Sequence, residues 1–244
     1  MGQAGVGGAV VDGAELVRQR RRVLRDAAGV AVATGAYGLS FGAVATTAGL
    51  SVAQTATLSA LMYTGASQFA LVGVLGPGGG VLAAVAAATL LGARNAFYGL
   101  RLAGVLQVRG VRRLLAAQLV IDESCAMAVG HDEPRLARTA FWATGLSVFA
   151  LWNLATLLGA LGARALEDPR TLGLDAAAPA AFLALLAPQL VDRGVRVLAV
   201  GSALLAVALT PAVPAGVPVL AVAVLTVLVG ASPGRSRSAR PEQP

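Results

Sequence analysis

The sequence predicts an all-α, polytopic integral membrane bundle. Three observations carry that class. From Ala27 to Ala93 there are 67 consecutive residues without an Asp, Glu, Lys, Arg or His. A soluble domain has no use for such a run, whereas a bilayer-spanning helix needs about 20 mainly apolar residues. The 244-residue chain is 57% hydrophobic and only 13% charged, too few charges to cover a soluble surface. Its 19 basic residues, all arginine, lie between the apolar runs. That is the pattern of positive-inside topology and not of a basic nucleic-acid face.

The elements follow in order. Residues 1–26 form a basic cytoplasmic tail with Arg18, Arg20, Arg21, Arg22 and Arg25. The apolar run behind it is too long for a signal-peptide core, so it is expected to stay as a first span, about Gly29–Leu50. Gly35, Gly38 and Gly42 share one helical face, and Gly38-x-x-x-Gly42 is a close-packing spacing. Ser51-x-x-Gln54 reads as a capping box and a fresh helix start. Val52–Leu75 ends at Gly76-Pro-Gly-Gly-Gly80, and Val81–Val105 follows.

Charge parity now decides a topology. Arg101, Arg109, Arg112 and Arg113 belong on the cytoplasmic side with the N-terminus. An even number of crossings must therefore precede them, but three apolar blocks do. Val52–Leu75 is expected not to cross, because Thr64-Gly-Ala-Ser67 can break a helix in its middle. Leu114–Gly130 holds Asp122-Glu123 and reads as a second partial, cavity-lining segment. Each acid would cost about 2.5–3.5 kcal/mol at a helix centre, and neighbours about 100° apart cannot share one narrow polar stripe.

Thr139–Ala163 is a clean span, Arg164–Asp175 an outer loop, Ala176–Val191 a short segment with Pro179 and Pro188, and Asp192–Arg196 an inner turn. Val197–Gly230, 34 residues without charge, fits two spans hinged at Pro211–Pro218. The expected architecture is six full spans plus two partial or re-entrant segments, with seven full spans as the alternative. Residues 27–230 form the membrane transport domain, and 231–244 a polar C-terminal tail. A weak echo links Gly49–Gln68 with Gly173–Gln189; it reads either as an internal repeat or as chance in low-diversity sequence.

Hydrolytic chemistry is not expected. The single histidine, His131, sits in a polar loop, and neither an HExxH motif nor a Walker A motif occurs. Cys125 is alone, so no disulfide, metal site or cofactor is expected. The polar residues inside the apolar blocks instead mark a pathway. Asp122 and Glu123 are candidate proton carriers, as intramembrane acids are in pumps and transporters; otherwise they form an interfacial polar pair. Arg94 lies too deep in its block to snorkel easily, and either binds substrate or pairs with Asp122 or Glu123.

The residues Phe41-Gly42, the Ser59–Gln68 segment ending Thr-Gly-Ala-Ser-Gln, Arg94 within Leu90–Gly99, and Ile121-Asp-Glu-Ser124 resemble the AzlC family. The later Gly173–Gln189 segment is also similar to it. That family is the large subunit of bacterial branched-chain amino acid exporters. The resemblance implies a multi-pass protein of the bacterial plasma membrane, working with a small AzlD-type membrane subunit. It also implies proton-linked export of leucine, isoleucine, valine and sometimes methionine. This chain reads Ala93-Arg94-Asn95, so Asn95 is not equated with a family asparagine. The competing reading is a channel-like or uncoupled pore for another small solute.

The expected substrate site is Gly65, Ala66, Ser67, Gln68 and Arg94. An amino acid zwitterion needs both its charges satisfied in a low-dielectric interior. A helix broken at Gly65 offers free backbone N–H groups to a carboxylate. The unwound carbonyls and Gln68 Oε1 would accept from the ammonium. Leu61, Phe69 or Phe97 would hold a branched side chain, at about 0.8 kcal/mol per buried methylene.

Overall fold

The computed structural model describes residues 13–165, 183, 186–214 and 216–231. Its described residues are helical, joined by short turns, and no strand occurs among them. Three helical stretches are long and apolar enough to cross a membrane: Ala14–Thr47, Val81–Leu106 and Pro134–Ala165. The surface is apolar, with Val32, Leu82, Phe97 and Leu100 largely exposed, while Thr55, Ser59, Gln68, Ser124, Thr144 and Thr156 are buried. That inversion suits a chain whose solvent is lipid.

The scaffold is a pair of helices, α1 (Gly13–Thr47) and α8 (Pro134–Ala165). At 35 residues, α1 is about 52 Å long, more than the roughly 30 Å hydrocarbon core. Its first turns carry the arginine cluster, so much of the expected tail is helical, with Arg18 Nη2 bonded to Glu15 Oε2 at 2.6 Å. The two helices run parallel along a small-residue seam. A Cβ at Gly35 would stand 3.0 Å from Leu151 Cβ, and one at Gly38 would stand 2.7 Å from the Trp152 carbonyl. A Cβ at Gly42 would collide with the Thr156 carbonyl, and one at Gly159 with the Leu39 carbonyl. The glycine face of the first span is therefore a packing face, which lets two backbones touch. Because α1 and α8 run parallel, an odd number of crossings must separate them.

Between them lie two helical hairpins and one crossing. Ser51 opens α2 (Val52–Leu61) with a full capping box: Gln54 N donates to Ser51 Oγ (3.2 Å), and Ser51 N donates to Gln54 Oε1 (2.8 Å). The helix runs antiparallel to α8, with Ser59 Oγ donating to Thr156 Oγ1 (3.3 Å) and Tyr63 OH to the Gly145 carbonyl (3.3 Å). The chain then breaks at Met62–Gly65, where Gly65 takes φ +56°, a left-handed value that disfavours any side chain. α3 (Ala66–Leu75) turns back, laying Phe69 edge-on to Phe41 at 5.5 Å and to Trp152 at 6.4 Å. It ends at Gly76, whose Cβ would stand 3.4 Å from Ala48 Cβ. Entry and exit thus both lie at the C-terminal end of α1. Each 10-residue arm is about 15 Å long, half a bilayer core. Val52–Leu75 is a hairpin of two short arms that enters and leaves at one end of the bundle, the path expected from the charge parity.

α4 (Val81–Gly92) and α5 (Arg94–Leu106) make one crossing, interrupted at Ala93. It ends on the basic side, where Arg138 of α8 donates to the Val105 carbonyl (2.8 Å) and to Gln107 Oε1 (3.1 Å). From there α6 (Val111–Gln118) rises and α7 (Asp122–Val129) returns. Their turn, Leu119–Ile121, packs on Gly145, eleven residues into α8. Met127, near the end of α7, packs against the cluster of Val23, Leu136 and Ala140 near the helix starts. This second hairpin enters from the side opposite to the first. Leu114–Gly130 is the partial segment its two acids demanded.

Beyond α8, a 3₁₀ turn (Ala187–Val191) leads to α9 (Arg193–Leu209) and α10 (Val217–Ala231). Asp192 Oδ1 caps α9, accepting from Gly194 N (2.7 Å) and Val195 N (3.1 Å). Gly216, at φ +97°, fits against Val74 and Ala83 beside the first hairpin. Most of the Arg164–Asp175 loop and of the Ala176–Val191 segment lies outside the described residues. So do most of the Gly173–Gln189 echo, residues 1–12 and the tail beyond 231.

Candidate functional site

The hairpins meet tip to tip in the middle of the bundle. Gln118, at the end of α6, donates Nε2 to the Ala60 carbonyl (2.8 Å) and the Leu61 carbonyl (3.3 Å) at the end of α2. Asn95 Nδ2 on α5 donates to the Val120 carbonyl (3.1 Å) in the second tip. Within that tip Ser124 Oγ donates to the Leu119 carbonyl (2.6 Å) and accepts from Ile121 N (3.1 Å). Broken backbone at membrane depth needs such partners, since lipid supplies none.

Beside the junction lies a cavity of about 570 Å³. The first tip contributes Tyr63, Thr64, Gly65 and Ala66, and the second contributes Ile121, Asp122 and Glu123. α5 adds Arg94, Asn95 and Tyr98, and α1 adds Thr34 and Tyr37. The remaining wall is apolar: Phe69, Leu91, Val148, Trp152 and Leu186. Its size lies within the range of about 300–1,000 Å³ of small-molecule sites.

Three charged groups face this space. Arg94 Nη2 is 2.6 Å from Asp122 Oδ2, and both side chains keep two-fifths of their surface exposed. Glu123 Oε1 accepts a longer bond, 3.4 Å, from Thr34 Oγ1. Both acids occupy the first turn of α7, where the helix dipole favours a negative charge. The first turn of α3 points into the same cavity through Gly65 and Ala66 and carries no acid.

Of the residues expected to bind substrate, Gly65, Ala66 and Arg94 line the cavity together with Asp122 and Glu123. Ser67 and Gln68 do not. Ser67 is buried, with its Oγ 3.3 Å from where a Cβ on Gly92 would lie. Gln68 has no exposed surface, and its amide closes its own hairpin. Oε1 accepts from Gly65 N (3.2 Å) and Nε2 donates to the Leu58 carbonyl (3.3 Å), so the amide faces its own hairpin and not the cavity. A glutamine three residues into a new helix turns back to its cap rather than outward. Phe97 is 69% exposed and faces outward, and Leu61 lines a neighbouring pocket. Of the three side chains expected to hold an aliphatic group, only Phe69 lines the cavity. Trp152 and Thr34 carry no signal of a site in the sequence, because one sits in an apolar span and the other is one hydroxyl among many. Asn95, not equated with a family asparagine, ties α5 to the second tip.

A family model described as AzlC protein matches residues 29–166, more than half of the chain. The match runs from the first span through α8 and so contains both hairpins and all of the cavity wall except Leu186. Neither a curated protein nor a solved structure matches the chain. A helical membrane protein with a polar cavity between opposed half-helices, matched over that length, belongs to the AzlC family of membrane transporters.

Proposed function

We propose that this chain is the large subunit of a secondary transporter that exports branched-chain amino acids across the bacterial plasma membrane, driven by protons. The observation that carries the reading is the cavity at the hairpin junction. It presents a guanidinium, two carboxylates and an acid-free helix N-terminus beside an apolar wall of Phe69, Val148 and Trp152. A zwitterion with an aliphatic side chain needs that combination: partners for both charges and apolar surface for the rest. A pore would need no such pairing of opposite charges. Asp122 and Glu123 are the groups available to carry the coupling proton. A small AzlD-type membrane subunit completes the transporter, as the family resemblance implies.

The test is efflux. Cells loaded with a leucine-containing dipeptide should release leucine faster, and hold less of it, when this chain and its small subunit are expressed. Equal efflux with and without them would count against the proposed substrate.

A further inference from the structure

The following rests on the reading that the cavity carries an amino acid. Its two acids are not equivalent. Asp122 is engaged by Arg94 at 2.6 Å. Glu123 makes no ion pair among the described residues; its carboxylate accepts from the Thr34 hydroxyl, at 3.4 Å, and from its own backbone N–H. The charged and titratable groups around it come from several elements. They are Asp122 on its own helix, Arg94 from α5 and Tyr63 from the first hairpin. Tyr37 of α1 and Tyr98 of α5 stand in the same wall, and α8 adds only Val148 and Trp152. One guanidinium against two carboxylates leaves a negative charge uncompensated whenever Glu123 is ionised. An uncompensated charge at membrane depth is costly. A proton removes it, and so does an ammonium.

The rest of the cavity fixes which way a zwitterion lies. Its carboxylate is repelled by α7, whose first turn holds both acids, and favoured at α3, whose first turn holds none. First-turn N–H groups lack intrahelical acceptors. The α3 N-terminus at Gly65 and Ala66 and the unneutralised acid of α7 thus come from the two opposed hairpin tips.

We propose that Glu123 holds either a proton or the substrate's α-ammonium, never both, and that this single carboxylate makes proton entry obligatory for export. At the outer face a proton adds to the Glu123 carboxylate and the zwitterion leaves with its ammonium. At the inner face the proton departs to water and the ammonium of the next substrate replaces it. One proton enters for each neutral zwitterion exported, so one positive charge enters per cycle.

The test uses the full chain with its small subunit, purified in detergent, and L-leucine as probe. Leucine is added in weak buffer below neutral pH, and released protons are read with an indicator dye. Wild type should release up to about one proton per leucine bound, and its leucine affinity should weaken by at most roughly tenfold per pH unit as pH falls. Glu123→Asp, which keeps the carboxylate, should still release protons. Glu123→Gln should release none, and whatever leucine affinity it keeps should be flat with pH. Asp122→Asn leaves the Arg94 guanidinium to Glu123, so its release should fall. Leucine binding to wild type without proton release overturns the proposal, as does release surviving in Glu123→Gln. Loss of release in Glu123→Asp at normal yield also overturns it. If wild type neither binds nor exports leucine, the proposed function falls and takes this inference with it. Normal export with failed proton release removes the inference alone.

Discussion

The amide of Gln68 shows what a fully buried polar side chain does at a break in a helix. The break leaves Gly65 N and the end of α2 in need of partners, and one glutamine serves both. Gln68→Ala leaves those backbone groups unsatisfied, at about 1–3 kcal/mol. The expected outcome is a lower melting temperature and a lower yield, read by fluorescence-detected size exclusion, with near-normal leucine affinity in the protein that survives. Loss of affinity at unchanged stability would instead place Gln68 on the substrate. Arg94 has the opposite character. Its guanidinium sits at membrane depth because Asp122 neutralises it, and its remaining exposed surface opens on the cavity. A residue can thus be deep in the bilayer for a structural partner and still face a ligand.

Among the elements, the hairpins depend most on internal hydrogen bonding. Their arms are too short to cross, so both tips end inside the hydrocarbon layer, where Gln68, Gln118, Asn95 and Ser124 supply the partners that water would supply elsewhere. The arrangement predicts accessibility. With buried Cys125 replaced, cysteines at Ser51 and Gly78 should both react with an impermeant maleimide from the side opposite the arginines. Cysteines at Arg109 and Asp132 should both react from the arginine side. Opposite labelling within either pair would turn that hairpin into a crossing.

At the scale of the whole molecule, the closest backbone packing is the α1–α8 seam, and of the three long apolar stretches the least buried is α4–α5. Only 17% of the most apolar window of Val81–Leu106 is buried, against 39% in α1 and 28% in α8. Leu82, Phe97 and Leu100 stand on that open surface. The proposed small subunit would find open apolar surface there. Reconstitution into liposomes should therefore give little proton-driven leucine transport with this chain alone and full transport with both subunits. Full transport by the single chain would remove the second subunit from the mechanism.

The membrane class, the position of the arginines and the break at Gly65 were legible in the sequence because each is a local property. Hydropathy acts over about twenty residues, a capping box over four, and a glycine at positive φ over one. Even the re-entrant path of Val52–Leu75 followed from counting charges, since parity is a constraint on order rather than on packing. What only the tertiary structure decided are the pairings between distant residues. Arg94 selects Asp122 and leaves Glu123 to Thr34, 89 positions away. Trp152 of α8 closes a cavity opened by Gly65 of the first hairpin. Gln68 turns inward to the Gly65 amide and the Leu58 carbonyl. No periodicity encodes these choices. They arise where two half-helices, entering from opposite sides, are forced to share the same few ångströms of low-dielectric space.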